Sequence, residues 1–176
     1  AGDSETGVCL MQIEEGLDTG GVIGLRTMAI TDSTTADDIR SQLIAEGSQL
    51  LIEQLKSGLD PVVPQIGEAT YAEKIESSEL RIDWSKSANE ISRLIRLGNA
   101  WTMFLGKRLK IHQADVIDGA ASEVGSMSVT KNSAHVATGR GTLDLKIVQP
   151  EGKPRMDVVS WINGNQPTHG EKLTSD

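Results

Sequence analysis

Residues 59–73, L-D-P-V-V-P-Q-I-G-E-A-T-Y-A-E, interrupt every periodic pattern in the chain. Pro61 and Pro64 each remove a backbone donor and fix φ, and Gly67 follows them, so the stretch reads as an extended linker. A chain of 176 residues is long enough for one ordinary domain or two small ones. The charge distribution favours two. Residues 1–73 carry three basic residues (Arg26, Arg40 and Lys56) against thirteen acidic ones, a net charge of −10. Residues 74–176 carry 14 basic and 12 acidic residues, a net charge of +2. The first half is a poor binder of polyanions; the second permits it.

Hydrophobic residues make up 38% of the chain and charged residues 24%, which places it with globular rather than disordered proteins. Aromatics are only 3%, so the cores are expected to be aliphatic. No apolar run approaches the roughly 20 residues needed to cross a bilayer, and no basic segment followed by an apolar one opens the chain. Cys9 is the only cysteine. An intramolecular disulfide is therefore excluded, as suits a reducing cytosol, and Cys9 is expected to be a small buried hydrophobe.

The run Val8 to Ile13 is short and apolar and reads as a buried strand. It passes Glu14 and Glu15 into Gly16-Leu17-Asp18-Thr19-Gly20-Gly21, a bend that carries a carboxylate just past a strand end. The plainer reading of Asp-Thr-Gly-Gly is a turn in which Asp18 bonds its own backbone. Val22 to Ile30 is a second strand. Thr34 with Asp37, or Thr35 with Asp38, has the spacing of a capping box before an amphipathic helix to about Ser57, with Ile39, Leu43, Gly47, Leu50, Leu51 and Leu55 on one face. Two strands and one helix leave a sheet edge and a face bare, so this reads as part of an α/β domain. After the linker, Ser87 with Glu90 caps a short helix bearing Ile91, Leu94 and Ile95. Five short strands then follow between Trp101 and Val148, which suggests a small closed or partly open barrel.

No metal site is apparent: His112, His135 and His169 lack ligand spacing, and Cys9 has no partner. Nucleophile elbows, Walker loops and dinucleotide fingerprints are absent from the sequence. Asp18-Thr19-Gly20 has the triplet of aspartic proteases, but those need two carboxylates sharing a proton, and a single copy followed by a long helix does not fit. Basic candidates lie in the second half. Strand periodicity puts Arg108, Lys110 and His112 on one face and Leu109 and Ile111 on the other. Arg93 and Arg96 share a side of the short helix, and Lys153 and Arg155 flank Pro154. Solvated faces explain each cluster singly; together they suit phosphate contacts that read RNA by shape. Trp101 and Phe104 are expected to fill the core rather than stack on bases.

Taken in order, G-D-S-E-T-G-V-C-L-M-Q-I-E-E-G-L-D-T-G, A-T-Y-A-E-K-I, R-I-D-W-S-K-S-A, A-W-T-M-F-L-G-K-R-L-K-I and V-Q-P-E-G-K resemble the landmarks of the methionyl-tRNA formyltransferase family across essentially the whole chain. The resemblance implies a cytoplasmic enzyme that moves the formyl group of 10-formyltetrahydrofolate onto the α-amino group of methionine on initiator tRNA. It implies a Rossmann-like formyltransferase fragment over 1–58, a linker over 59–73 and an OB-like tRNA-binding barrel with one leading helix over 74–176. Asp18 matches the catalytic aspartate; Glu14, Glu15, Gly16 and Leu17 would line the pterin pocket. Lys107, Arg108 and Lys110, with Arg93 and Arg96, fall by region where tRNA phosphates would be met. The family's asparagine and histidine, in an N-x-H-x-S-L-L-P stretch, do not occur in these residues, nor does the family's proline-rich segment before Trp101. The expectation is the back half of a formyltransferase, inactive by itself. A tRNA-binding module without chemistry, or another folate-dependent formyltransferase or hydrolase sharing the Asp loop, are the competing readings.

Overall fold

Strand β1, Glu5–Met11, pairs antiparallel with β2, Val22–Ala29, in the register Glu5↔Ala29 through Leu10↔Gly24. The register slips between Leu10 and Met11, where the chain leaves the ladder for the Asp18 loop. In this computed structural model, which describes residues 2–68, 70–119 and 123–174, the chain divides into two compact units, Ala1–Lys74 and Ile75–Asp176.

In the first unit, helix α1, Ala36–Ser57, lies on one face of the β1–β2 ribbon. Of the two candidate capping boxes, the chain uses Thr35 and Asp38: the Asp38 amide donates to Thr35 Oγ1 at 3.2 Å, and the Thr35 amide donates to Asp38 Oδ2 at 3.0 Å. Two glycines set the spacing between layers. A Cβ at Gly47 would come 3.0 Å from Val8 Cγ2, and one at Gly24 would come 3.0 Å from Leu50 Cδ1. Arg26 on β2 is clamped by Glu46 at 3.1 Å and by Glu53, both on α1.

The buried face is narrower than the periodicity implies. Leu50 and Gln54 are buried, while Leu51 and Leu55 are exposed, so the expected stripe is rotated by about one residue. Gln54 earns its place by gripping the segment that follows: its amide donates to Asp60 Oδ2 at 2.6 Å and its carbonyl oxygen accepts from the Asp60 amide at 2.8 Å. Cys9 is exposed, and β1 alternates between exposed and half-buried positions. A two-stranded ribbon covered on one side cannot bury both faces of a strand, which is why the expectation of a buried cysteine fails.

The second unit opens with helix α2, Ala88–Leu97, whose capping box is Ser87 and Glu90 as expected. Strands β3 (Trp101–Phe104), β4 (Lys107–Ile117), β5 (Met127–Val129), β6 (Ala134–Ala137) and β7 (Thr142–Pro150) form a sheet in the order β3-β4-β7-β6-β5. A short β8, Met156–Asp157, pairs with β7 and leads into helix α3, Val158–Asn165. Sequence periodicity finds neither, because two strand residues and eight helical ones are too short to show a period. The end of the chain joins the two edge strands: Leu173 and Met127 bond with Gly125 and Glu171, and Met103 exchanges hydrogen bonds with Thr174. Both edges of the mostly β sheet thereby gain partners.

The core gathers Ile82, Trp84, Ile91 and Ile95 with Leu109, Ile111, Leu143, Leu145, Val148 and Trp161. One polar relay crosses it. The Trp84 indole N–H donates to Thr102 Oγ1 at 2.9 Å, and that hydroxyl donates to the Thr174 carbonyl at 2.7 Å. Gly139 is required by close approach, since a Cβ there would lie 1.8 Å from the Ser85 carbonyl oxygen. Thr102→Val keeps the shape but strands a donor and an acceptor, and is expected to lower unfolding stability by about 1–3 kcal/mol in urea titration. An unchanged midpoint would show that the relay contributes nothing.

Candidate functional site

Two groups of residues carry potential chemistry, one in each unit, and each is built independently. The first is the loop between β1 and β2. Its neck is closed by the Gln12 amide donating to the Gly21 carbonyl at 2.9 Å. Gly20 passes so close beneath Gln12 that a Cβ would sit 1.7 Å from the Gln12 carbonyl oxygen, so this position admits glycine alone. Gln65 then ties the loop from outside. Its side-chain amide donates to the Asp18 carbonyl at 2.9 Å and to the Gly20 carbonyl at 2.7 Å.

Asp18 itself has φ of 55°, the left-handed region that aspartate tolerates better than most side chains. Its carboxylate makes no hydrogen bond or ion pair among the described residues; the backbone carbonyl, not the side chain, makes its contact. The loop therefore holds an exposed carboxylate on a pinned backbone, a different arrangement from an aspartate that bonds its own turn. Glu14, Glu15, Gly16 and Leu17 are all exposed beside it. Ile13 is 92% exposed and Leu17 82%, an unusual cost for two aliphatic side chains on a ten-residue excursion.

The second group lies on β3, β4 and β7. Leu109 and Ile111 point into the core, so Arg108 and Lys110 face outward as the alternation predicts. His112 keeps the outward side of Lys110, and the register shift between Ile111 and Gln113 leaves it at a bulge, so the alternation changes only after it. Arg108 spreads its guanidinium over the Trp101 ring, 4.1 Å from the centroid. Trp101 is thus a half-buried platform covered by a cation, while Phe104 does fill the core. Lys110 Nζ donates to Asn99 Oδ1 at 3.0 Å, and Asn99 has φ of 62°. Lys107 is exposed at the start of β4. Arg93 and Arg96 belong to α2, the former exposed and the latter half-buried.

The contribution of Gln149 is invisible in the sequence. Its carbonyl oxygen lies 2.9 Å from His112 Nε2, and its amide donates to the Lys153 carbonyl at 2.9 Å. A residue 37 positions from His112 is brought beside it only by β4–β7 pairing. Burial lowers the His112 pKa below 6.5, the positive charges of Arg155 and Lys110 lower it further, and the Gln149 hydrogen bond opposes them. Among the described residues no set of three or more His, Cys, Asp or Glu side chains is placed to hold a metal.

A histidine depressed in the folded state binds its proton more weakly there than when unfolded, so it contributes stability above the unfolded pKa that is lost as pH falls through the folded value. His112→Gln is expected to flatten the stability profile between neutral pH and values below 6.5. Urea titrations at several pH values would read this; a variant with the same slope as the parent would show that His112 does not titrate in that window.

Residues 74–166 match the family model described as Formyl transferase, C-terminal domain. The chain is 39% identical over 184 residues to a methionyl-tRNA formyltransferase of Neisseria meningitidis serogroup A, covering 98% of this chain and 59% of that protein. It is 36% identical over 181 residues to the methionyl-tRNA formyltransferase of Corynebacterium diphtheriae, covering 99% and 58%. The chain therefore spans less than two thirds of the length of the curated relatives it matches. Among solved structures, HypX from Aquifex aeolicus in complex with tetrahydrofolic acid superposes with a TM-score of 0.72 at 18% identity, over 97% of this chain and 32% of that one, a likeness of fold. With a family model covering more than half of it, the chain belongs to the formyl transferase C-terminal domain family.

Proposed function

We propose that these residues are the C-terminal part of an enzyme that transfers the formyl group of 10-formyltetrahydrofolate to the α-amino group of methionyl initiator tRNA in the cytoplasm. The observation that carries this reading is the 39% identity to a methionyl-tRNA formyltransferase, which extends over 98% of the chain and so runs through both units rather than through the second alone. The ordered landmarks around Asp18, Trp84, Trp101 and Gln149 support it. In this reading residues 1–58 belong to a Rossmann-like formyltransferase domain, 59–73 link it, and 74–176 form an OB-like domain that holds tRNA. The exposed aliphatic residues Ile44, Leu51, Ile52 and Leu55 on α1 support a first unit that packs against further structure.

The chemistry asked of the loop is modest. The methionine nitrogen attacks the formyl carbon, the carbon–N10 bond breaks, and the proton lost by the amine ends on the departing nitrogen, giving formylated tRNA and tetrahydrofolate. Asp18, an exposed carboxylate on a backbone pinned by Gln65, is suited to orient that proton transfer. The exposed backbone of Glu14 to Leu17 offers donors and acceptors at fixed spacing, which is what the edge of a pterin ring requires. The oxyanion donors would be the family's asparagine and histidine, which lie outside these residues. Lys107, Arg108, Lys110, Arg93 and Arg96 would meet phosphates.

In the full-length protein, Asp18→Asn is expected to lower formyl transfer by about 10²- to 10⁴-fold with unchanged melting temperature and tRNA affinity. A near-normal rate would sink the assignment. Lys107→Glu with Lys110→Glu is expected to weaken initiator-tRNA binding and to flatten the salt dependence by about two counterions in filter-binding titrations. An unchanged salt slope would remove β4 from the tRNA surface.

A further inference from the structure

The aim of the Asp18 carboxylate is set by the backbone. Nothing among the described residues bonds that carboxylate, so its direction follows from φ at residue 18 and from the chain on either side. Asp18, at 55°, is the one non-glycine residue of the first unit with positive φ among the described residues. Side-chain-bearing residues disfavour that conformer, and it persists only where the surroundings hold it. Close packing seats both ends of the turn: a Cβ at Gly16 would lie 2.6 Å from Thr19 Oγ1, and Gly20 lies against Gln12. Between those ends, among the described residues, the hydrogen bonds that reach the turn from outside are the two from Gln65, to the Asp18 and Gly20 carbonyls.

Gln65 suits that task by its chemistry and by its anchorage. A primary amide carries two hydrogens on one nitrogen, and the two carbonyl oxygens, at 2.9 and 2.7 Å, take both. An ionised glutamate of the same shape has only acceptors to set against those oxygens, and methionine has neither. The segment that bears Gln65 is held independently of its side chain. Val22 and Val63 exchange backbone hydrogen bonds of 2.8 and 2.9 Å, and a Cβ at Gly21 would come 2.4 Å from Val62 Cγ1. Pro64 fixes φ between Val63 and Gln65. Loss of the Gln65 amide therefore frees the turn and leaves the segment in place. Gln65 is exposed, so water replaces its hydrogen bonds at small cost in stability. What water does not replace is the direction they impose.

We infer that Gln65 is a positioning residue for formyl transfer: it holds the Asp18 backbone in the left-handed conformer that aims the carboxylate. It contributes to turnover rather than to substrate binding or folding. The inference rests on the role proposed for Asp18.

The test is steady-state formylation of methionyl initiator tRNA by the full-length protein carrying Gln65→Met, Gln65→Glu, Asp18→Asn, or Asp18→Asn together with Gln65→Met, alongside thermal melting. Gln65→Met is expected to lower kcat about 10- to 100-fold, with KM for tRNA and for the formyl donor within about twofold of the parent. Its melting temperature is expected to stay within about 4 °C of the parent. Gln65→Glu, which keeps the shape and loses the donors, is expected to be at least as slow. In the Asp18→Asn background, Gln65→Met is expected to change the rate by less than about twofold, because both act through one group. A normal kcat in either Gln65 variant, a loss confined to KM, or a full further loss in the Asp18→Asn background would overturn the inference. So would a larger fall in melting temperature in both variants, which would make the residue structural. A near-normal rate for Asp18→Asn would instead overturn the role given to Asp18, whatever the Gln65 variants do.

Discussion

The second unit depends on the pairing of β4 with β7. From Leu109↔Pro150 to Ile117↔Thr142 the two strands carry the inward residues that bind the helices to the sheet. The pairing contains two register shifts close together, one on each strand. Leu109 and Ile111 face the core, and beyond the bulge Ala114 does; on β7, Leu143 and Leu145 face it, and then Val148. Each strand changes the parity of its buried face at the same level. Because both change together, the core stays continuous while the outer face is re-aimed.

That local geometry shapes the basic surface. Arg108, Lys110 and His112 share the outward side of β4, but they are not equivalent cations. His112 is half-buried against Gln149, where desolvation and neighbouring positive charge disfavour its proton. Arg108 rests on Trp101 and is held flat, which leaves Lys107 and Lys110 as the point charges of the row. The surface is better described as one stacked guanidinium, two lysines and a neutral imidazole than as a run of cations.

In the first unit, the same tension between period and packing appears on α1. The capping box and the glycines at positions 24 and 47 define where the helix starts and how close it lies. Which stripe is buried was settled by Gln54, a polar residue whose amide satisfies Asp60 and so turns the following segment back toward β2, where Val63 exchanges hydrogen bonds with Val22. Pro61 and Pro64 suit an extended path, yet the path is tied down at Asp60, Val63 and Gln65. Position along the sequence says that such residues break periodic structure; it does not say what they grip.

By itself, the sequence determined what depends on neighbours in the chain. The Thr35–Asp38 and Ser87–Glu90 caps, the outward Arg108 and Lys110, the glycine-bound Asp18 loop and the ordered landmarks of the family all rest on spacings of a few residues or on direct likeness. Tertiary structure alone decided what depends on distant partners. Gln65 pins Asp18 from 47 positions away, Gln149 meets His112, Thr174 completes the Trp84–Thr102 relay, and α3 brings Trp161 edge-on to Phe104 in the core. A short-range pattern fixes backbone conformation because its energy is local. A buried hydrogen bond or a cavity wall is fixed only when the whole core closes, since its partners have no relation in sequence until the fold puts them side by side.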